Sequence, residues 1–573
     1  MKRKERLLED ESLSMTFTNF TFSTLASISL ATVLQVPLKA SQMPSADFRD
    51  FVVSVESVEQ EPYNFGIVNE IIGASALYDL GVVGWNAKIA NIESAQPWLE
   101  HDAFTNTILG ETFTPDGALS ESRAHATATA SILASLGPED DEGYYSYLYC
   151  GIAPRAELNS ASIASKINED ESFEIDENAF YSAYKHFFLD SPVDVISSSW
   201  GATYSEPELD EISHLMDAFI AKAQNVTMVA AAGNAGEDGT NSVGSPAKAF
   251  NTISVGALTN PNNFDKVAPF SSHGPCYFYN PITNEVVKNA LVGVDIVAPG
   301  EYVGGAAFDD SLAVADRPKD EVYAVSGTSF AAPIVAGAAA LLCDAGKILE
   351  ADPDAIAKGW SEKARDARVI KAVLLNSAVK PNDWTNNASL QNGVLVTTQA
   401  LDYNYGAGIL NVEKALEQYT NFTDKSAWLT NTIFMGMEIS YDLGILEAGD
   451  TFTSTLVWFA QNSAEFAETY SDALISDYAL SNLDLELCMS IGDDIVCIAS
   501  SEAQYSTVEH IYLTLEETAN YYIKVAFDSM VYGQLSSEEF ALAWSVVPEP
   551  ADMAFTFALL AILLAIFRRK KRF

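Results

Sequence analysis

Gly327-Thr328-Ser329-Phe330-Ala331-Ala332-Pro333 runs straight into a stretch of small and apolar residues, Ile334 to Leu342. The glycine permits a close backbone approach just before a helix. A serine at that point has free N–H groups and the positive end of the helix dipole beside it. Such a hydroxyl suits acyl transfer, because charge developing on an attacked carbonyl lies next to backbone donors. A serine at a helix start is also an ordinary N-cap, so the choice between the two readings falls to the rest of the chain. Three other blocks supply what a nucleophile needs. His125 opens a second small-residue helix, Ala124 to Ile132, as a base would. An apolar strand, Ala87 to Ile92, ends in Glu93, an acid able to orient that base. Another, Val229 to Ala232, ends in Gly233-Asn234, an amide donor.

Acid, histidine, amide and serine in that order resemble the subtilisin-like serine peptidases of family S8, whose triad partners run Asp, His, Ser along the chain. Other blocks fall in family order. Asp194-Val195-Ile196-Ser197-Ser198-Ser199-Trp200-Gly201 is similar to the strand that pairs with substrate. Ser245-Pro246-Ala247 resembles a wall of the specificity pocket, and Phe270 to Pro275, Ile296 to Gly300 and Tyr405 to Gly408 follow. The resemblance covers roughly residues 70–420. It implies Ser329 as nucleophile, His125 as general base, Glu93 as the acid and Asn234 as oxyanion donor. It also implies Ser197 to Gly201 and Ser245 to Ala247 as substrate-binding segments. The chain departs from the family at three places: Glu93 stands where Asp is usual, and Ala95 and Ala126 stand where glycines are usual. Asp102, in the next loop, is the alternative acid. The leading expectation is a serine endopeptidase acting on proteins or peptides. The second is a catalytically degenerate protein of the same fold that binds peptides at a surface without cleaving them.

The elements that would carry these residues alternate apolar strands with helical patterns, at Glu208 to Gln224 and Val369 to Ala378 among others, which predicts an α/β fold with a parallel sheet flanked by helices. Segments 159–182 and 277–293 are polar and acidic and read as surface insertions. Past about residue 422 the pattern changes to short alternating strands around Leu483 to Ile491, Ile495 to Ala499, His510 to Leu515 and Tyr521 to Phe527. That predicts an antiparallel β-sandwich and resembles the bacterial pre-peptidase C-terminal domain. Cys488 and Cys497 flank Gly492-Asp493-Asp494 and are expected to form a disulfide across a hairpin in an oxidising compartment.

At the start of the chain, the apolar stretch Phe22 to Leu38 reads as the core of a signal peptide. At its end, Pro548-Glu549-Pro550 precedes the apolar run 553–567 and the basic cluster Arg568 to Arg572. Together these three parts resemble the PEP-CTERM sorting signal of exported bacterial proteins, implying a terminal transmembrane helix, a processing enzyme acting on the tail, and an envelope location. The expected layout is a signal peptide over 1–40, a lead segment over 41–84, a catalytic domain over 85–421, a β-sandwich over 422–546 and the sorting signal over 547–573. The lead segment is too short for a folded inhibitory pro-domain of the kind common in secreted relatives.

Among 573 residues, 78 are acidic and 32 basic, a net charge of −46. Phosphate backbones would be repelled, which excludes a general nucleic-acid binder. No cofactor is expected. Calcium is compatible with so acidic a chain, but no D-x-D-x-D-G-type loop locates it. The histidines lack zinc-site spacing, so no metal is assigned.

Overall fold

The structure is a computed structural model that describes residues 38–39, 47–50, 54–56, 65–139, 150–168, 172–203, 210–259, 264–309, 311–353, 356, 363–420, 422–423 and 425–548. Most of the expected signal peptide, the Glu549-Pro550 end of the Pro-Glu-Pro triplet, the apolar run 553–567 and the basic cluster lie outside these residues.

After a two-residue strand at Leu38–Lys39 come two more short strands, β1 (Asp47–Asp50) and β2 (Ser54–Glu56). The central sheet is built from β3 (Lys88–Glu93), β4 (Ile108–Phe113), β5 (Glu157–Ser162), β7 (Val195–Ser198), β9 (Thr227–Ala231), β10 (Ile253–Thr259) and β11 (Ile296–Pro299); β6 (Ser172–Ile175), β8 (Trp200–Thr203) and β12 (Val322–Ser326) lie outside it. Among these seven strands the order is β4-β5-β3-β7-β9-β10-β11, every neighbouring pair parallel, and Lys266–Val267 adds to β10 antiparallel. Several of these strands are nearly continuous buried runs, as a sheet covered on both faces requires. The stretch 159–182 corrects its sequence reading. Asn159, Ala161 and Ile163 are buried, so its first part continues a core strand and is not a surface insertion. Its serines and Asn159 face hydrogen-bonding partners within the fold, Ser160 donating to Gln96 at 2.8 Å, which is why a polar composition hid a strand. By contrast, 276–291 forms an antiparallel hairpin with an exposed outer strand, as expected.

Five helices matter for the site: α1 (Ala124–Ala134), α2 (Glu177–Lys185), α3 (Glu211–Ala223), α4 (Thr328–Ala351) and α5 (Ala367–Ser377). Among the described residues α4 is the one helix long and apolar enough to span a membrane, yet it is the buried core helix. Its small residues let it pass close to its neighbours. A Cβ added at Gly337 would lie 2.5 Å from the Ile152 side chain, so this position has no room for a larger residue.

The C-terminal part forms two antiparallel sheets, as expected. Its strands are β13 (Ser426–Phe434), β14 (Glu438–Leu446), β15 (Thr451–Trp458), β16 (Leu474–Ile491), β17 (Asp494–Ser501), β18 (Val508–Thr514), β19 (Ala519–Tyr532) and β20 (Ser537–Val547). One sheet contains β17-β16-β19-β14 and the other β13-β20-β15-β18. Alternate residues such as Leu483, Leu485, Leu487, Ile523 and Val525 share a core with Phe452, Leu456 and Leu542, the period of two that a half-buried strand imposes. The sandwich is sewn to the catalytic part. Val394–Thr397 adds to β17 in parallel, and the buried Arg368 on α5 meets Glu539 at 2.8 Å.

The expected disulfide is not formed in this structure, where Cys488 and Cys497 are free thiols. The register sets the two directly opposite across β16 and β17, beside a bulge at Leu487/Cys488. Their sulfurs interact with each other, and each has a further partner, Glu486 Oε2 at 3.7 Å for Cys488 and the Ala499 carbonyl at 3.3 Å for Cys497.

Two buried carboxyls at the junction contribute to the pH response. Asp217 on α3 accepts the Asn251 N–H at 2.8 Å, and Asn251 in turn exchanges hydrogen bonds with Ala460. Burial pushes the Asp217 carboxyl up to about 8 and that of Glu538 on β20 up to about 7. Between about pH 4 and these values the folded chain holds more protons than the unfolded chain, so stability falls as pH rises through that window. The unfolding free energy from urea titration is therefore expected to drop from pH 5 to pH 8 by more than about 1.4 kcal/mol, the equivalent of one pKa unit, with a lower urea midpoint at pH 8. An equal or higher midpoint at pH 8 contradicts this expectation, and Asp217→Asn should flatten the slope.

Candidate active site

The candidate residues gather at the C-terminal ends of β3, β7 and β9, where crevices form in open α/β sheets. Glu93 closes β3 and is fully buried. Its Oε2 lies 3.1 Å from His125 Nδ1, and its Oε1 accepts the Ser199 N–H at 3.1 Å. Burial pushes the Glu93 carboxyl up from its ordinary range; His125 opposes the shift, nearby Asp50 adds to it, and the Ser199 N–H opposes it. His125 sits in the first turn of α1, which Asn91 on β3 anchors through a 3.1 Å hydrogen bond to Thr129. Asp102 opens a short 3-10 turn, its N–H donating to the Lys319 carbonyl at 2.7 Å. Ala95 and Ala126 are fully buried, and neither is among the described residues with positive φ. Alanine therefore fits both backbones without strain.

Ser329 is the second residue of α4 and is buried. Its hydroxyl donates to the Ser199 carbonyl at 2.5 Å, and the next residue, Phe330, sets its ring 5.8 Å from that of His125. Asn234 lies beside the same helix start. Its Oδ1 accepts the Thr328 N–H at 2.9 Å and the Thr328 hydroxyl at 3.0 Å. Thr328 Oγ1 in turn accepts the Gly233 N–H at 3.1 Å. With its oxygen so occupied, the buried Nδ2 of Asn234 has no hydrogen-bond partner. A buried unpaired donor is costly and calls for an explanation, and an incoming oxyanion supplies one.

The expected substrate segments divide. Ser197 and Ser198 are not at the crevice edge: their backbones pair within the central sheet, with β9 and, for Ser197, with β3. Their side chains are fully buried, and Ser198 shares a 2.8 Å hydrogen bond with Tyr184. Ser199 is shared between Glu93 and Ser329, whereas Trp200 and Gly201 belong to β8, outside that sheet. Trp200 is fully buried against Phe173, Phe180 and Tyr184, so it is a wall of packed aromatics. Ser245 exchanges backbone hydrogen bonds with Ala202 at 2.8 and 3.0 Å, which places Ser245-Pro246-Ala247 beyond the far edge of β8.

Sequence reading missed two residues. Thr328 orients Asn234, and its place inside the serine block was the available signal. Asp50 lies 3.6 Å from His125 Nδ1 and accepts the Ser94 hydroxyl at 2.7 Å. No motif marks it; only the alternation of aromatic and charged residues over Asp47-Phe48-Arg49-Asp50 hints at a strand. Among the described residues, potential metal-ligand clusters occur at Glu486, Cys488 and Cys497 and at Asp50, Glu93 and His125. Neither offers the six to eight oxygens typical of calcium.

The family model described as subtilase, peptidase S8, matches residues 96–408, starting just past Glu93. The serine protease AprX of Bacillus subtilis (strain 168) is 29% identical over 242 residues, 41% of this chain and 50% of AprX. The major intracellular serine protease of the same organism is 27% identical over 48% of this chain and 73% of its own length. Subtilisin E, also from that strain, is 27% identical over 51% of this chain and 63% of its length. The chain thus spans half the length of AprX and more of the other two. With the histidine, the serine-bearing helix and the amide brought to one crevice and the matched stretch covering more than half its length, the chain belongs to the subtilase family of serine peptidases.

Proposed function

We propose that this chain is a serine endopeptidase that hydrolyses peptide bonds through an acyl-enzyme on Ser329. His125 takes the Ser329 proton as the hydroxyl attacks the scissile carbonyl, then returns it to the leaving amine. Glu93 holds the Nδ1 side of His125, fixes its tautomer and stabilises the imidazolium. The charge formed on the carbonyl oxygen is met by the Asn234 Nδ2 and the Ser329 N–H, helped by the α4 dipole. No step needs a cofactor. The observation that carries this reading is the buried, partnerless Nδ2 of Asn234 at the start of the helix that bears Ser329. The serine proteases among its relatives also favour this reading over the non-cleaving binder.

The finer setting comes from the sequence. The apolar Phe22 to Leu38 and the Pro-Glu-Pro, apolar and basic blocks at the other end support export and a sorting signal, with a membrane helix over 553–567 and a processing enzyme that removes it. The β-sandwich then stands between the catalytic part and the envelope. The test is reaction of the folded chain with a fluorophosphonate probe, followed by peptide mapping. One label on the peptide containing Ser329 is the expected result; no labelling, or a label elsewhere, rejects the proposal.

A further inference from the structure

The β-sandwich carries a cluster of metal-ligating side chains outside the candidate active site. On β16, Leu483, Leu485 and Leu487 enter the core, so Asp484 and Glu486 fall on the face away from it. β19 mirrors this, with Tyr521, Ile523 and Val525 in the core and Tyr522 and Lys524 on the other face. Glu486 pairs with Lys524 and Cys488 with Tyr522, which puts Glu486 and Cys488 together on that outer face. On β17 a strict period of two would send Cys497 inward, because Ala499, two residues on, is in the core opposite Leu487. A bulge prevents it. Leu487 pairs with Ala499 and Cys488 with Cys497, which leaves Ile498 as an extra residue that packs against the core. Bulges of this kind re-aim a side chain, and this one turns the Cys497 thiol towards Cys488 and Glu486.

One carboxylate oxygen of Glu486 and the sulfurs of Cys488 and Cys497 lie within 4.8 Å of one another. The sulfurs interact with each other, and Cys488 Sγ is 3.7 Å from Glu486 Oε2. Tetrahedral bonds of about 2.0–2.3 Å set ligand atoms about 3.3–3.8 Å apart, so small side-chain rotations bring all three onto one ion. Two thiolates favour a soft or borderline cation over magnesium or calcium. Lys524 supplies the charge balance: its ammonium is 3.0 Å from Glu486 Oε2 and 2.9 Å from Glu438 Oε2. Two thiolates, a carboxylate and a divalent cation leave one negative charge, which that ammonium faces. Cys488 is buried but Cys497 is half-buried, so the cluster stays open to a ligand from solvent. A disulfide would engage the two sulfurs alone; a metal ion engages the carboxylate as well.

We propose that Glu486, Cys488 and Cys497 form a binding site for a divalent cation of the zinc class, with solvent as the fourth ligand and Lys524 holding the carboxylate in place. Binding releases one proton from each thiol to solvent and makes two metal–sulfur bonds and one metal–oxygen bond, with no transfer of electrons. The ion joins β16 to β17 beside the bulge. The site is independent of the peptidase reading.

The test uses the full chain, reduced and treated with a chelator, then freed of both reagents without air. Cobalt(II) is the optical probe and zinc the competitor. One cobalt per chain is expected, with sulfur-to-metal charge-transfer absorption and the strong visible bands of a tetrahedral site, all removed by zinc. Partners that merely orient metal ligands are worth about 10–100-fold in affinity, so loss of a ligand in Cys497→Ser or Glu486→Gln should cost at least that. Zinc should also raise the urea midpoint of the parent and not that of Cys497→Ser. Circular dichroism checks both folds, and Glu486→Gln alone decides if Cys497→Ser does not fold. No charge-transfer absorption, or the same affinity in Cys497→Ser, overturns the proposal. Equal affinity in Glu486→Gln also overturns it, since the sulfurs would then act as a plain dithiol. So does non-reducing peptide mapping of chain from the native host that recovers Cys488 joined to Cys497, which would make the pair a covalent staple.

Discussion

Glu93→Gln is expected to leave the chain folded and to lower kcat about 10⁴-fold, the size of the equivalent acid-to-amide change in a triad enzyme. Glu93 uses both oxygens, one towards His125 Nδ1 and one for the Ser199 N–H. Glutamine has only one. If that oxygen keeps the Ser199 N–H, the amide NH₂ faces Nδ1 and forces the ring proton onto Nε2, where a lone pair is needed to accept the serine proton. If the amide turns the other way, a buried N–H faces an NH₂, which costs about 1–3 kcal/mol. Peptide hydrolysis by the purified variant, with circular dichroism as the fold control, checks this. A kcat within tenfold of the parent would move the acid role away from Glu93. Asp50, 3.6 Å from the same nitrogen, would then be the first residue to examine.

Asn234→Ala should lower kcat about 10²–10³-fold, or about 3–4 kcal/mol, the loss found for one oxyanion donor of this kind. KM should change little, because the donor meets charge that exists only near the transition state. The alanine also removes the acceptor for Thr328, so a second variant separates the two roles. Asn234→Asp keeps an oxygen for Thr328 but turns the donor into an acceptor. It should be at least as slow as the alanine variant. Recovery of most activity in Asn234→Asp would make Asn234 a helix-start brace and sink its oxyanion role.

Much of the site was legible because its chemistry is local in sequence. A nucleophile at a helix start and an amide at a strand end are each specified by neighbouring residues, since small side chains and a glycine dictate the turn. Glu93 was legible for the same reason: the apolar run of β3 stops at it. Ser197 and Ser198 were misread because they share a block with Trp200 and Gly201. The change from central sheet to crevice edge falls between Ser198 and Trp200, and no local preference marks where a strand leaves one sheet and enters another. The strand at 157–162 was hidden because its polar residues are paid for by partners distant in sequence, such as Gln96.

By itself, then, the sequence determined the order of the candidate catalytic groups, the alternation of the α/β part and the period-two strands of the sandwich. These follow from local dihedral preference and from which faces must be buried. Only the tertiary structure decided which oxygen of Glu93 meets His125, that Asn234 Nδ2 is left without a partner, and that β1 lies between β6 and β8. Those facts depend on contacts between residues far apart in the chain. Asp50 reaches His125 only because β1 pairs with β8, more than a hundred residues away, and antiparallel pairing is satisfied by any extended segment whose backbone groups come into register. Backbone hydrogen bonds carry no side-chain signature, so the pairing of β1 with β8 is set by topology rather than by motif.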